Sequence, residues 1–141
     1  MTAVQEILTP KSSQELNHFK GTIDGKDFTA TAFSISKTAD RWTVSGTQVV
    51  VPGLVRHKIQ LSFPTTLMKG VYKLEEERHQ IRLTYTTDDL LDPIFIRGDT
   101  GLIDLTTIDP ANDHVEGGLL NILTHDDGNP VSTITALFRV R

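Results

Sequence analysis

The chain has 141 residues, of which 38% are hydrophobic and 23% charged, a composition that suits one folded domain and argues against overall disorder. Its net charge of −4 comes from 14 basic and 18 acidic residues, and no run of lysine or arginine occurs, so we expect no nucleic-acid partner. The absence of cysteine excludes disulfides, thiol catalysis and thiolate metal sites.

The N-terminal segment "MTAVQEILTPKSS" has neither the basic start nor the apolar run of a signal peptide. No stretch approaches the ~20 apolar residues of a membrane span. These features predict a soluble cytoplasmic protein. We expect residues 1–16 to form an N-terminal arm, in which "AVQEIL" before Pro10 and a capping box from Ser12 to Glu15 allow a helical turn. Helix is expected only near this start.

Beyond the arm, apolar residues alternate with polar ones instead of recurring every three or four positions. The segments "RWTVSG", "HKIQLSF", "QIRLTY" and "STITALFRV" show this period of two, which is typical of strands with one buried face. Trp42 falls on such an apolar face and is expected in the core. The predicted strands are 18–23, 27–35, 41–50, 57–63, 70–74, 80–87, 94–97, 101–108, 114–123 and 131–140.

Turn-forming residues separate these strands at a spacing close to the ~8–12 residues expected of an antiparallel sandwich or barrel. No connection is long enough for a crossover helix, which argues against a parallel sheet. The sequence therefore predicts an all-β fold, an antiparallel β-sandwich or flattened barrel rich in meander, with residues 17–141 forming a single domain.

The segment "GTIDGKDF" contains two aspartates, a glycine and a lysine, which invites comparison with a metal or phosphate site. A calcium loop needs alternating carboxylates and a distant glutamate, and a phosphate loop needs several glycines that lead into a helix. Here a strand pattern, "FTATAFSI", follows. Asp24-Gly25 is instead the dipeptide of a two-residue hairpin turn, and we predict a corner in the chain.

Two short motifs match catalytic patterns but lack their context. "SISK", Ser34 to Lys37, fits the S-x-x-K pattern of serine acyl-enzymes, yet it ends a predicted strand where that chemistry needs a helix. "HVE", His114 to Glu116, fits part of the zinc-deaminase signature, which also requires cysteines. Both matches are interpreted as coincidental.

The five histidines have no metal-ligand spacing, and we interpret them as surface residues. His114 and His125 flank one predicted strand, which would place them at opposite ends of the domain. Only a break at Gly117-Gly118 would bring them together.

The acidic loops are the remaining candidates for a metal site, because hard cations such as calcium prefer oxygen ligands. If "RGDTG" is a turn, two strands intervene and five aspartates share one end of the domain: Asp88, Asp89, Asp92, Asp109 and Asp113. If it is only a bulge, the loop at 88–93 shares an end with Asp126 and Asp127. We favour the turn, because fifteen residues exceed the usual strand length of ~3–10. Aspartate is also an ordinary turn residue, so we expect no bound metal and no cofactor.

The segment "FKGTIDGKDFTA" resembles a group of small bacterial β-sandwich domains, many of them uncharacterised lipoproteins. Their N-terminal hairpin reads I-D-G-K-x-[FW]-x-A, matched here by Ile23 to Ala30. Three later segments also resemble sequences of this group: "LSFPTTLMKGVYKL", "GLIDLTTID" and "HVEGGLLNIL". The resemblance implies a sandwich fold and carries over no active residue. The chain lacks the lipidated cysteine of many members.

No arrangement of nucleophile, base and metal survives in the sequence, so we expect a non-catalytic binding or protein-interaction module rather than an enzyme. The alternative is a small enzyme with an unrecognised polar site in its loops. The expected partner is a protein or small ligand that the sequence does not identify. Self-association through an edge strand or the N-terminal arm belongs to the same class, because unpaired strand edges can pair with another chain.

Overall fold

A computed structural model describes residues 17–50, 55–88, 94–126 and 129–141. These residues form ten β-strands and one short helix. In chain order the elements are β1 (His18–Ile23), β2 (Lys26–Thr29), β3 (Ala32–Lys37), β4 (Arg41–Val50), β5 (Val55–Pro64), β6 (Gly70–Lys73), α1 (Leu74–Glu77), β7 (Arg82–Thr87), β8 (Ile94–Asp109), β9 (His114–Asp126) and β10 (Asn129–Val140).

The strands form one antiparallel sheet that curls into a half-barrel. Its order is β2-β1-β10-β9-β8-β7-β5-β4-β3, and β6 pairs with β8 beside this path. Most neighbours in the sheet are also neighbours in the chain, as expected for a meander. The exceptions are β5 with β7, β6 with β8, and β1, which pairs with the last strand through the whole of His18–Ile23. The prediction of an all-β, antiparallel, meander-rich fold is confirmed, and the sheet is a single curled one.

Alternating apolar residues place the core inside the curl. In β5, Ile59, Leu61 and Phe63 have no exposed surface, whereas the residues between them are partly exposed. Trp42 on β4 is 1% exposed, so its predicted core position is confirmed. Because the side-chain period of a strand is two, one apolar residue in every two gives each strand a buried face.

The chain between β2 and β3 links the two edges of the curled sheet. The backbone N–H of Ala30 donates to the carbonyl of Phe19 on β1, and that of Thr31 donates to the carbonyl of Thr47 on β4. Successive residues therefore bond to strands from opposite ends of the sheet order. A segment predicted as one strand, 27–35, is divided at this point into β2 and β3.

The corner predicted at "GTIDGKDF" is confirmed. Asp24 and Gly25 both have positive φ, 54° and 79°, and join β1 to β2 as a two-residue hairpin. Asp24 also fixes the hairpin to β10, since its backbone N–H donates to the Thr133 carbonyl (2.9 Å) and its Oδ1 accepts from the Thr133 N–H (2.8 Å).

The favoured turn at "RGDTG" was wrong, because this segment lies within one long strand. β8 runs without interruption from Ile94 to Asp109. It pairs with β9 from Arg97 to Asp109, with register shifts between Gly98 and Leu102 and again near Thr106. Bulges absorb the extra residues, and Gly101 takes a φ of 128° there. The strand exceeds the usual length because it changes its second partner, from β7 at Ile94–Arg97 to β6 at Leu102–Leu105.

Helix also occurs where the sequence did not predict it. The single turn α1 connects β6 to β7, and its Leu74 is 1% exposed and packs into the core. Burial of this leucine accounts for a helical turn too short to be stable alone. The predicted N-terminal arm, residues 1–16, lies outside the described residues. No helix in the described ranges is long and apolar enough to cross a membrane.

Candidate functional site

The acidic residues proposed as a low-priority metal site are not brought together. Because β8 is continuous, Asp88 lies beside its first residue and Asp109 is its last, at opposite ends of the sheet. The prediction that Asp88 converges with Asp109 and Asp113 was therefore wrong, because the chain forms a bulge where a turn was predicted. Asp89 and Asp92 lie outside the described residues. Within the described ranges, no three His, Asp or Glu side chains are grouped to hold a metal ion.

Asp109 and Asp113 shape the tight connection between β8 and β9. Asp109 Oδ1 accepts from the Ala111 N–H (3.2 Å) and its Oδ2 accepts from the Asn112 side-chain amide (2.8 Å). These hydrogen bonds, the one from the Asn112 side chain above all, hold the pKa of Asp109 below its usual range. Asp113 has a φ of 48°. Both residues act as turn residues, in agreement with the structural interpretation of these loops.

The carboxylate of Asp88 is bound by Arg56. Its Oδ1 accepts from the Arg56 backbone N–H at 2.6 Å, and its Oδ2 lies 3.2 Å from Arg56 Nη1. The pair joins the end of β7 to the start of β5. The pair is exposed, so it holds these two strand ends beside each other and contributes little to stability.

His114 and His125 lie at the two ends of β9, as predicted, because no break occurs at Gly117-Gly118. Each is half-buried beside a carboxylate: His114 Nε2 is 3.2 Å from Glu116 Oε2, and His125 Nδ1 is 3.1 Å from Asp99 Oδ2. The interpretation of these residues as plain surface histidines was incomplete.

A cavity of about 490 Å³ lies between the β1–β2 hairpin and the inner face of β4, β5 and β7. We call it the hairpin cavity. Its apolar lining comes from Ile23 and Val50. Its polar lining residues are Asp24, Lys26, Asp27, Gln48, His57 and Tyr85.

The hairpin cavity arises where the inward-facing positions change from apolar to polar. On β5 the inward series Phe63, Leu61, Ile59 continues to His57, and on β7 Leu83 is followed by Tyr85. These positions face the same side because they are two residues apart. The apolar core therefore ends in a polar surface under the hairpin.

His57 and Tyr85 are hydrogen-bonded to each other at the base of this cavity. Register pairs Ile59 with Tyr85, so His57 is the diagonal neighbour of Tyr85 across the strands. The Tyr85 hydroxyl lies 2.7 Å from His57 Nδ1, and the two rings are nearly parallel at 11°. Tyr85 is 6% exposed. The pair thus combines a buried hydroxyl with an imidazole whose second nitrogen, Nε2, can also form a hydrogen bond.

Burial and a nearby charge keep Tyr85 protonated. Burial is the larger cause that raises the pKa of the Tyr85 hydroxyl, and the carboxylate of Asp24 raises it further. The hydroxyl is therefore a hydrogen-bond donor at neutral pH. When it donates to His57 Nδ1, a neutral His57 carries its own proton on Nε2.

Sequence reasoning missed this pair although one signal pointed to it. The alternation of "QIRLTY" predicted that Tyr85 lies on a buried strand face, and His57 was interpreted as a surface residue. Extending the alternation of "HKIQLSF" by one step places His57 on the buried face with Ile59. A histidine on the apolar face of a strand is a signal of an inward-facing polar residue that needs a hydrogen-bond partner. Its partner depends on the register between β5 and β7, which the sequence does not specify.

Comparisons with protein-family models, with curated proteins and with solved structures found no match.

Proposed function

We propose that this protein is a non-catalytic binding module whose hairpin cavity takes a small polar organic molecule, neutral or cationic. The observation that carries this proposal is the hydrogen-bonded pair of His57 and Tyr85 at the base of a cavity also lined by two aspartates. A largely preformed pocket with a few convergent polar groups is the usual form of a small-molecule site, and the mouths of curled β-sheets are a common place for it.

The charges of the hairpin cavity favour neutral or cationic ligands over anions. Asp24 and Asp27 are opposed by Lys26 alone, so the lining carries a net negative charge when His57 is neutral. A ligand with an ammonium or hydroxyl group finds carboxylate acceptors at the hairpin, and a ligand acceptor finds a donor at the His57–Tyr85 pair. Anions meet repulsion from the two aspartates.

The cavity dimensions agree with a small molecule rather than a protein segment. A volume of about 490 Å³ falls within the ~300–1,000 Å³ of typical ligand pockets. The lining comes from three strands and from a hairpin anchored to β10, so it is held by backbone pairing and needs little reorganisation on binding.

A fragment screen by amide chemical-shift mapping tests the proposal. Amines, polyols and amides should shift the amide signals of Asp24, Gln48 and His57, and these shifts should disappear in Tyr85→Phe. Tyr72→Phe is the matched control, because it alters the chain's only other tyrosine, whose hydroxyl bonds to the Met68 carbonyl away from the cavity. Hits that map elsewhere, or that bind Tyr85→Phe unchanged, would contradict the proposal.

A second candidate function is catalysis, favoured by the same hydrogen bond. A tyrosine hydroxyl in contact with an imidazole is an arrangement able to relay a proton to a bound substrate. The two candidates differ in the fate of the ligand. Prolonged incubation of each fragment hit with the protein, followed by one-dimensional proton spectra, should leave the hits unchanged for a binding module and should show new signals for an enzyme.

A further inference from the structure

A second cavity, of about 260 Å³, lies on β8 where this strand changes partner. β7 pairs with β8 up to Arg97, and β6 pairs with it from Leu102 onward. The bulged residues between these pairings face the connection that runs from α1 to β7. We call this cavity the arginine cleft. Its charged lining residues are Arg78, Arg82, Arg97, Asp99 and His125.

Positive charge dominates the lining of the arginine cleft. Its three arginines face one carboxylate, Asp99, which already contacts Arg78 and lies 3.1 Å from His125 Nδ1. Arg82 and Arg97 form no ion pair with any described residue. Among the described residues, these two arginine side chains at the rim of the cavity have no carboxylate partner.

A fourth arginine, Arg41 at the first position of β4, adds to this charge, although β4 is two strands away from β7 in the sheet order. Arg41 Nε donates to Ser62 Oγ (2.9 Å), and its Nη2 donates to the Gln80 carbonyl (2.7 Å). Burial lowers the pKa of Arg41, and repulsion from Arg82 lowers it further. Ser62, which accepts from Arg41 Nε, is also the register partner of Arg82. The partners of Arg41 are neutral oxygens.

Elsewhere in the described residues, two arginines are paired with carboxylates, whereas Arg141 at the chain end forms no ion pair with them. Arg56 pairs with Asp88 and Arg139 with Glu116. The chain as a whole is acidic, with a net charge of −4. Arg82 and Arg97, which have no carboxylate partner among the described residues, therefore concentrate positive potential at the arginine cleft of an otherwise acidic chain.

We propose that the arginine cleft binds a phosphate dianion, either free phosphate or a phosphate monoester. Three arginines and one aspartate give its lining a charge of +2, which complements the −2 of a phosphate monoester at neutral pH. Planar guanidinium groups match phosphate oxygens with paired hydrogen bonds. Ile81 and Leu83 also line the cleft and provide an apolar surface for the organic part of an ester.

Calorimetric titration at constant ionic strength tests this inference, with inorganic phosphate, phenyl phosphate and succinate as probes. Both phosphates should bind, and Arg82→Gln and Arg97→Gln should each weaken binding about tenfold, equivalent to ~1.4 kcal/mol. Both arginines are exposed, so these changes should leave the fold intact. Arg141→Gln is the matched control, since it removes an exposed arginine at the chain end, and it should bind phosphate like the unaltered protein. Tyr85→Phe should also bind normally, which separates this site from the hairpin cavity.

The probes also distinguish the two sources of the phosphate group. Tighter binding of phenyl phosphate supports an ester whose organic part contacts the cleft, and equal binding supports free phosphate. Absence of binding heat, equal affinity in the two arginine variants, or succinate that binds as tightly as phosphate would each overturn the inference.

Discussion

Phe19 on β1 packs directly against Gly46 on β4, across the inside of the curled sheet. A Cβ atom at Gly46 would lie 2.6 Å from Phe19 Cβ and 2.7 Å from its Cγ. The Phe19 ring also stacks on Phe138 of β10 at 5.2 Å and meets Phe28 of β2 edge-on at 6.1 Å. This contact joins strands from the two ends of the sheet order, so it holds the curl together.

Gly46→Ala should therefore destabilise the fold, because the added methyl group overlaps a fully buried aromatic ring. Overpacking of this kind costs about 1–3 kcal/mol, measurable by urea unfolding. Gly118→Ala is the control. Its Cβ would lie 3.2 Å from the exposed Leu137 side chain, which can move, and 3.7 Å from the Ala136 carbonyl oxygen, an ordinary contact distance, so its stability should change by less than about 0.5 kcal/mol. Equal effects in the two variants would mean that the Phe19–Gly46 contact is not tight.

Gly25→Ala should cost on the order of 1 kcal/mol, because alanine must adopt the positive φ of the type I′ turn. No atom lies within 4 Å of the position of an added Cβ, so the cost is conformational and not steric. Thermal unfolding measures it. Fragments that bind the hairpin cavity should still bind the folded variant. A variant of unchanged stability that lost binding would mean that Gly25 itself contacts the ligand, in addition to the hairpin residues that line the cavity.

Asp24→Asn should lower the pKa of Tyr85 without restoring it to its ordinary value. The change removes the charge of Asp24 but keeps an acceptor for the Thr133 N–H, and burial, the larger cause of the raised pKa, remains. A titration of tyrosinate absorbance in a Tyr72→Phe background reports Tyr85 alone. An unchanged Tyr85 pKa would place Asp24 too far away to interact with it.

The raised pKa of Tyr85 also gives stability a pH dependence. Folding favours the protonated hydroxyl, so this contribution is fully present below the pKa of the unfolded chain, about 10. It should be lost as the pH rises from there through the higher pKa of the folded state. Tyr85→Phe should lose less stability over that range than Tyr72→Phe, as followed by urea unfolding at each pH.

Calcium should leave the melting temperature unchanged. Asp109 is engaged by Asn112 and Ala111, and Asp88 by Arg56, so these carboxylates are not free to converge on an ion. A bound ion would stabilise the fold by mass action. If millimolar calcium raised the melting temperature by several degrees and Asp109→Asn abolished this rise, a metal site at the Asp109 end of β8 would be established instead.

Local patterns in the sequence predicted much of this fold. Alternation identified the strands and their buried faces, as at Trp42 and Ile59, because a period of two is a property of each strand alone. Asp24-Gly25 predicted its own turn, since the need for positive φ is local. The strand bounds at 18–23 and 41–50 agree with β1 and β4.

Other features were decided by contacts between distant segments. β8 remains one strand through "RGDTG" because β9 pairs with it on one side while β7 and then β6 pair on the other, and no local signal carries that information. The register of β5 on β7 brings His57 to Tyr85, and the curl of the sheet brings Asp24 over them. Sequence alone determined which residues face inward; only the tertiary structure determined which of them meet, because side-chain pairing across strands depends on register and closure rather than on the order of residues.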